Sequence, residues 1–180
     1  MDDCAARYRR YLEGDDSAAA EIMDELFFGL VFFIGRYVGD FHSAEDIALD
    51  VMSDLFVYKK FNFKVSLKTY VYMLGKSRAL DCVRRRGRVT FTELSEAENA
   101  AERAELEEKV LADERKRELN AALCKLPEVM RVAVHLVYFE DMTYEEAAKV
   151  MKKSKKQVDN LIYRAKKELR SLLEKEGKIL

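Results

Sequence analysis

Apolar residues recur at helical spacing through most of the chain, and the pattern is sharpest between Leu126 and Leu173. There, Tyr144, Ala147, Ala148 and Met151 form one apolar face behind a capping box made by Thr143 and Glu146. After Lys152, Lys153 and Ser154, a second box of Ser154 and Gln157 opens a longer helix. Its stripe is Val158, Leu161, Ile162, Ala165, Leu169 and Leu172. Two capped helices across a short polar turn predict a helix-turn-helix whose second helix reads DNA.

Upstream, Ser17 is expected to open a strongly apolar helix (Ile22, Met23, Leu26, Phe27, Leu30, Val31, Phe33, Ile34, Tyr37) that ends near Gly39. Ser43 with Asp46 reads as a capping box for a helix with Ile47, Val51 and Leu55 inward, reaching about Lys59. A short aromatic loop, Lys60 to Val65, follows. Ser66 then caps a helix with Leu67, Tyr70, Val71, Met73, Leu74, Leu80 and Val83 on its apolar side. Further along, Leu119, Ala122, Leu123 and Leu126 lead to Pro127, which suits the first turn of a helix over Val129 to Phe139.

The predicted fold is all-α: two small helical domains joined by an acidic linker, the C-terminal one a helix-turn-helix. Boundaries fall at 1–90, 91–114 and 115–180. The linker is placed by composition, because ten acidic residues stand against five basic ones between Glu93 and Glu118.

Composition narrows the function classes. One proline, seven glycines and 49% hydrophobic residues in 180 suit a helical globular protein. The formal net charge is −1, so only the distribution of charge is informative. Between Lys152 and Arg170, eight basic residues face two acidic ones. Cys4, Cys82 and Cys124 lie far apart and His42 and His135 complete no ligand set, so no metal, cofactor or disulfide framework is expected. Cys82, Cys124 and His135 read as packing residues within apolar helices. The apolar run Leu26 to Ile34 is too short to cross a bilayer and the acidic N-terminus lacks a basic leader, which points to a cytoplasmic protein with no membrane insertion. Scattered glycines and helical runs of acids form no phosphate loop, nucleophile elbow or acid/base pair. No enzyme is expected.

Three constellations remain as candidate surfaces. On the last helix, Lys155, Lys156, Asp159, Asn160, Tyr163, Arg164 and Lys167 lie off the apolar stripe, so amide, aromatic and guanidinium groups can reach base edges while lysines meet phosphates. Asp46, Asp50 and Asp54 repeat every four residues on one face. Like charges at that spacing weaken an isolated helix by a few tenths of a kcal/mol per pair, so retaining three suggests a basic partner, with solubility as the equal alternative on the stripe alone. The third is Phe61, Asn62, Phe63 and Lys64 with Lys68, Tyr70, Tyr72, Lys76 and Arg78, where cations beside aromatics suit an unpaired strand.

These residues resemble a known family, the two-domain, extracytoplasmic-function type of bacterial sigma factor. Ala44-Glu45-Asp46-Ile47 through Val51 is similar to its core-polymerase-binding helix. Ser66-Leu67-Lys68-Thr69-Tyr70-Val71-Tyr72, running to Ala79-Leu80-Asp81 and the arginines, resembles its minus-10 helix. Leu126-Pro127-Glu128, Thr143 to Ala148, and Tyr163-Arg164-Ala165-Lys166 resemble its minus-35 domain. Departures are Tyr70 where tryptophan is usual, Ser77-Arg78 for an Arg-Asn pair, Lys152-Lys153 for a glycine and an aliphatic residue in the turn, and Asp159 and Leu161 for Lys and Arg.

The resemblance implies an alternative sigma factor. Asp46, Asp50 and Asp54 would meet the clamp coiled coil of the largest subunit of RNA polymerase core. Phe61 to Lys64 and the next helix would hold minus-10 bases, and Lys155 to Arg164 would enter the major groove at minus-35. The linker would pass near the RNA exit path, and an anti-sigma factor is a candidate further partner. Two rivals from other classes are a stand-alone helix-turn-helix regulator, which binds operator DNA without polymerase, and a helical adaptor, which binds no nucleic acid even at low salt.

Overall fold

The computed structural model describes residues 3–89, 119 and 121–175, and the chain divides into two compact units, 1–103 and 104–180. The acidic linker expected at 91–114 lies outside the described residues. Every regular element among them is helical.

The first unit is built on α2 (Ser17–Val38). Its apolar residues are so dense that Ile22, Leu26, Leu30, Phe33 and Ile34 are all fully buried, which needs neighbours on more than one side. Those neighbours are α1 (Asp3–Leu12), α3 (Phe41–Tyr58) and α4 (Leu67–Val89). Gly39 ends α2 as expected: at φ 86 it takes the left-handed conformation and donates its N–H to the Gly35 carbonyl. At Gly75 of α4, a Cβ would stand 2.8 Å from Leu30 Cδ1, so the missing side chain lets α4 approach α2 closely.

The helix α1 is an element that the sequence pattern does not announce. It buries Cys4 and Tyr8, one turn apart, and carries Asp3 in its first turn and Arg9 and Arg10 in its last, where acids and bases offset the helix dipole. Arg7 pairs with Asp3, Glu21 and Glu25, and Arg10 with Asp15 and Glu21, joining α1 to the start of α2. Tyr8 donates its hydroxyl to the Leu55 carbonyl at 2.9 Å inside the core, and burial pushes its phenol pKa up to about 12.

The start of α3 also corrects the sequence reading. Asp40, not Ser43, is the cap, and its carboxylate accepts the Ser43 backbone N–H at 2.8 Å. Asp40 further holds Arg86 of α4 at 2.7 Å, and Arg86 also binds the Ser43 hydroxyl. Desolvation pushes the Asp40 carboxyl up, but the bonds from Arg86 and Ser43 outweigh it and keep its pKa below the usual range. Ser66 caps α4 as expected, accepting the Thr69 N–H at 3.3 Å.

In the second unit, Pro127 precedes α5 (Glu128–Val134) as its N-cap instead of entering its first turn. The helix continues as a π-helical turn, His135–Phe139, that the apolar periodicity did not disclose. His135 is buried with its Nε2 3.3 Å from the equally buried Glu140 carboxylate. Cys124, expected inside, is exposed. Next, α6 (Tyr144–Met151) and α7 (Lys155–Lys175) pack on one another, and α7 also packs on α5.

Candidate nucleic-acid interface

The turn that aims α7 is fixed by local hydrogen bonds. Thr143 accepts the Glu146 N–H at 3.2 Å while Glu146 accepts the Thr143 N–H at 3.0 Å. Across the turn, Gln157 donates its N–H to Ser154 Oγ at 3.2 Å and its side-chain oxygen accepts the Ser154 N–H at 2.8 Å. Both boxes therefore form. Lys152 closes α6 at φ 55, and Lys153 N–H reaches back to the Ala148 carbonyl at 3.0 Å. A Cβ in that conformation costs about 1–2 kcal/mol, so the lysine is tolerated against a local preference for glycine.

This turn rolls the apolar stripe of α7 inward. Val158, Ile162 and Ala165 are buried, whereas Leu161, Leu169 and Leu172 are only half-buried. Lys155, Lys156, Asp159, Asn160, Tyr163, Arg164 and Lys167 are all exposed, Tyr163 by 70%. One departure is electrostatic. Lys155 pairs with Glu145 of α6, a hydrogen bond that raises the lysine pKa and lowers the glutamate's and sets the lysine at the mouth of the turn.

In the first unit, the acidic stripe divides. Asp46 and Asp50 are exposed, whereas Asp54 is bound by Arg78 of α4, which also lies 3.7 Å from Asp50. Two residues assigned to different partners thus hold one another.

The aromatic loop also departs from expectation. Tyr72 is 0% exposed and packs on Phe33 with ring centroids 5.0 Å apart, so it is core and not a base contact. Phe61, expected to meet an unpaired strand, is instead buried among Tyr8, Phe63 and Tyr70. The reason is α1, whose Tyr8 supplies an apolar wall that sequence reading had left out. Phe63 stays open at 38% exposure, with a left-handed backbone at φ 59. Such a conformation in a bulky residue is strained by about 1–3 kcal/mol and is found where the surroundings fix it. Asn62 and Lys64 are exposed, and the Asn62 side chain turns the loop by accepting the Lys64 N–H at 3.2 Å. Lys68, Tyr70 and Lys76 are half-buried along α4.

Arg9 of α1 also reaches this loop, its guanidinium carbon 5.0 Å from the Phe63 ring centroid. Its spacing from Tyr8 carries no signal until α1 is recognised as a helix. Among the described residues, no cluster of histidine, cysteine and acidic side chains could hold a metal, and no helix is long and apolar enough to cross a membrane.

Comparison with known proteins adds three findings. Residues 116–169 match the family model described as Sigma-70, region 4. The chain is 29% identical over 144 residues to the ECF RNA polymerase sigma factor SigE of Mycolicibacterium smegmatis, a match covering 79% of this chain and 56% of that protein. It therefore spans just over half of that relative's length. It is 23% identical over 177 residues to the ECF RNA polymerase sigma factor SigW of Bacillus subtilis, covering 93% and 95% of the two chains. Among solved structures, the fold is similar to CnrH in complex with the cytosolic domain of CnrY, with a TM-score of 0.64 at 20% identity, over 97% of this chain and 98% of that one. It is also similar to the sigma factor RpoE in complex with the anti-sigma factor NepR from Bartonella quintana, with a TM-score of 0.62 at 17% identity, over 86% and 96%. The chain is thus similar to ECF RNA polymerase sigma factors over most of its length, and its residues 116–169 match the model of sigma-70 region 4.

Proposed function

We propose that the protein is an alternative sigma factor that docks on RNA polymerase core and directs it to a set of promoters, acting in the cytoplasm and without catalytic activity of its own. The observation that carries this reading is the second unit: a doubly capped turn presents Lys156, Asn160, Tyr163 and Arg164 on one exposed face of α7. That face fits the major groove at minus-35, with Arg164 and Asn160 able to reach base edges and Lys156 and Lys167 positioned for phosphates.

In the first unit, exposed Asp46 and Asp50 are the acids available to the basic clamp coiled coil of the polymerase, whereas Asp54 serves chiefly to hold Arg78. Phe63, Asn62 and Lys64 form the accessible part of a minus-10 strand site, flanked by Lys68, Tyr70 and Lys76. CnrH and RpoE are recorded with a protein partner, in the latter case an anti-sigma factor. A regulator of that kind is proposed here as a third partner.

Binding with and without core enzyme tests the reading. The protein alone is expected to hold duplex promoter fragments weakly and to gain affinity when core is added. Tight duplex binding by the protein alone, unchanged by core, would identify a stand-alone regulator instead.

A further inference from the structure

We infer that α1 completes the single-strand site: Arg9 supplies a phosphate contact beside Phe63, for a strand whose unpaired base meets that ring. The inference rests on the sigma-factor reading above and adds a residue from an element that reading does not use.

The three arginines of α1 differ in what they face. Arg7 and Arg10 are each tied to carboxylates of α2 or of the turn before it. Arg9 is exposed and, among the described residues, pairs with no carboxylate. Its guanidinium lies over Phe63. Lys59, Lys60 and Lys64 surround the same loop, likewise without a carboxylate partner among the described residues, and Lys59 and Lys60 sit against the rings of Tyr11 and Tyr58. Cations left without acids beside open aromatic rings are what an unpaired nucleic-acid strand requires, because phosphates need charge and bases need a face to stack on.

The position of Phe63 is fixed independently of Arg9. Its ring packs against the buried rings of Phe61 and Tyr8, at 4.6 and 6.1 Å between centroids, and Tyr8 is anchored to the Leu55 carbonyl. Removing the Arg9 side chain therefore leaves the ring where it is and subtracts one cation. A duplex fits this surface poorly, since its bases offer no free face to Phe63.

The test uses the full chain with purified core polymerase and a fluorescein-labelled single-stranded 20-nucleotide DNA of mixed sequence, followed by anisotropy across a salt series. Relative to wild type, Arg9→Ala is expected to bind about three- to tenfold more weakly at low salt. Its plot of log affinity against log salt should be shallower by about 0.7, the value for one phosphate contact on a single strand. Arg9→Lys should restore the slope, and Phe63→Leu should lower affinity with the slope unchanged. An Arg9→Ala protein with the wild-type slope overturns the inference, whether its affinity is retained or reduced, because a merely structural role leaves the number of phosphate contacts intact. A wild-type protein that adds no strand binding to that of core alone overturns the sigma-factor reading itself.

Discussion

Single side chains decide which surfaces of this protein can meet a partner. Tyr72 illustrates the difference between a residue that suits an unpaired base chemically and one that is accessible to it. Tyr72→Ala is expected to destabilise the first unit by about 3–5 kcal/mol, as for other large buried aromatics, and this can be read from denaturant unfolding. Tyr72→Phe should leave single-strand binding unchanged; a loss of binding in that variant, with the fold intact, would return the residue to the interface. Arg164 belongs to the opposite class, exposed and unburdened by packing. Its replacement by alanine should weaken binding to a promoter duplex carrying the minus-35 element by about 1–3 kcal/mol while leaving affinity for core unchanged. Parallel titrations against DNA and core would check both halves of that statement.

At the scale of elements, the parts governed by short-range chemistry were legible in the sequence. Thr143 with Glu146 and Ser154 with Gln157 form the boxes expected of them, because each bond spans three residues and needs no tertiary context. Ser43 with Asp46 shows the limit of that logic. Asp40 stands three residues before Ser43 and takes its N–H, and the choice is reinforced by Arg86, a residue 46 positions away from Asp40. Long-range pairs also explain the misread candidates. Arg78, expected on nucleic acid, and Asp54, expected on polymerase, pair with each other, and nothing in either segment announces that the two face each other. The short helix α1 was missed for a related reason: its mostly charged surface gains definition only against the acids of α2.

Thr143→Ala should cost the second unit about 1 kcal/mol, measured as a shift in its unfolding midpoint. Acid should loosen the first unit. The carboxyls of Asp40 and Glu25 are each pushed up by desolvation but held lower still by their hydrogen-bonding and cationic partners, so both ionise more readily folded than unfolded. Their contribution is complete above the unfolded values of about 4 and is lost as pH falls through the lower folded ones. Unfolding midpoints measured between pH 7 and pH 3 should fall at the acid end, less steeply in Arg86→Ala; an identical slope in that variant would remove the Asp40–Arg86 pair as a cause.

Over the whole molecule, a formal charge of −1 conceals opposite local charges: exposed acids on α3 and exposed bases on α7. The proposal needs both, one for a protein machine and one for DNA. Asp50→Lys should therefore lower affinity for core by about tenfold, roughly 1.4 kcal/mol, through reversal of one contact charge. The separation of roles is tested most directly by run-off transcription with purified core enzyme and a genomic fragment library. Wild-type protein is predicted to yield discrete start sites absent with core alone, and Asp50→Lys and Arg164→Ala each to reduce them, the first by weakening assembly and the second by weakening promoter selection. Transcripts no different from those of core alone would contradict the account.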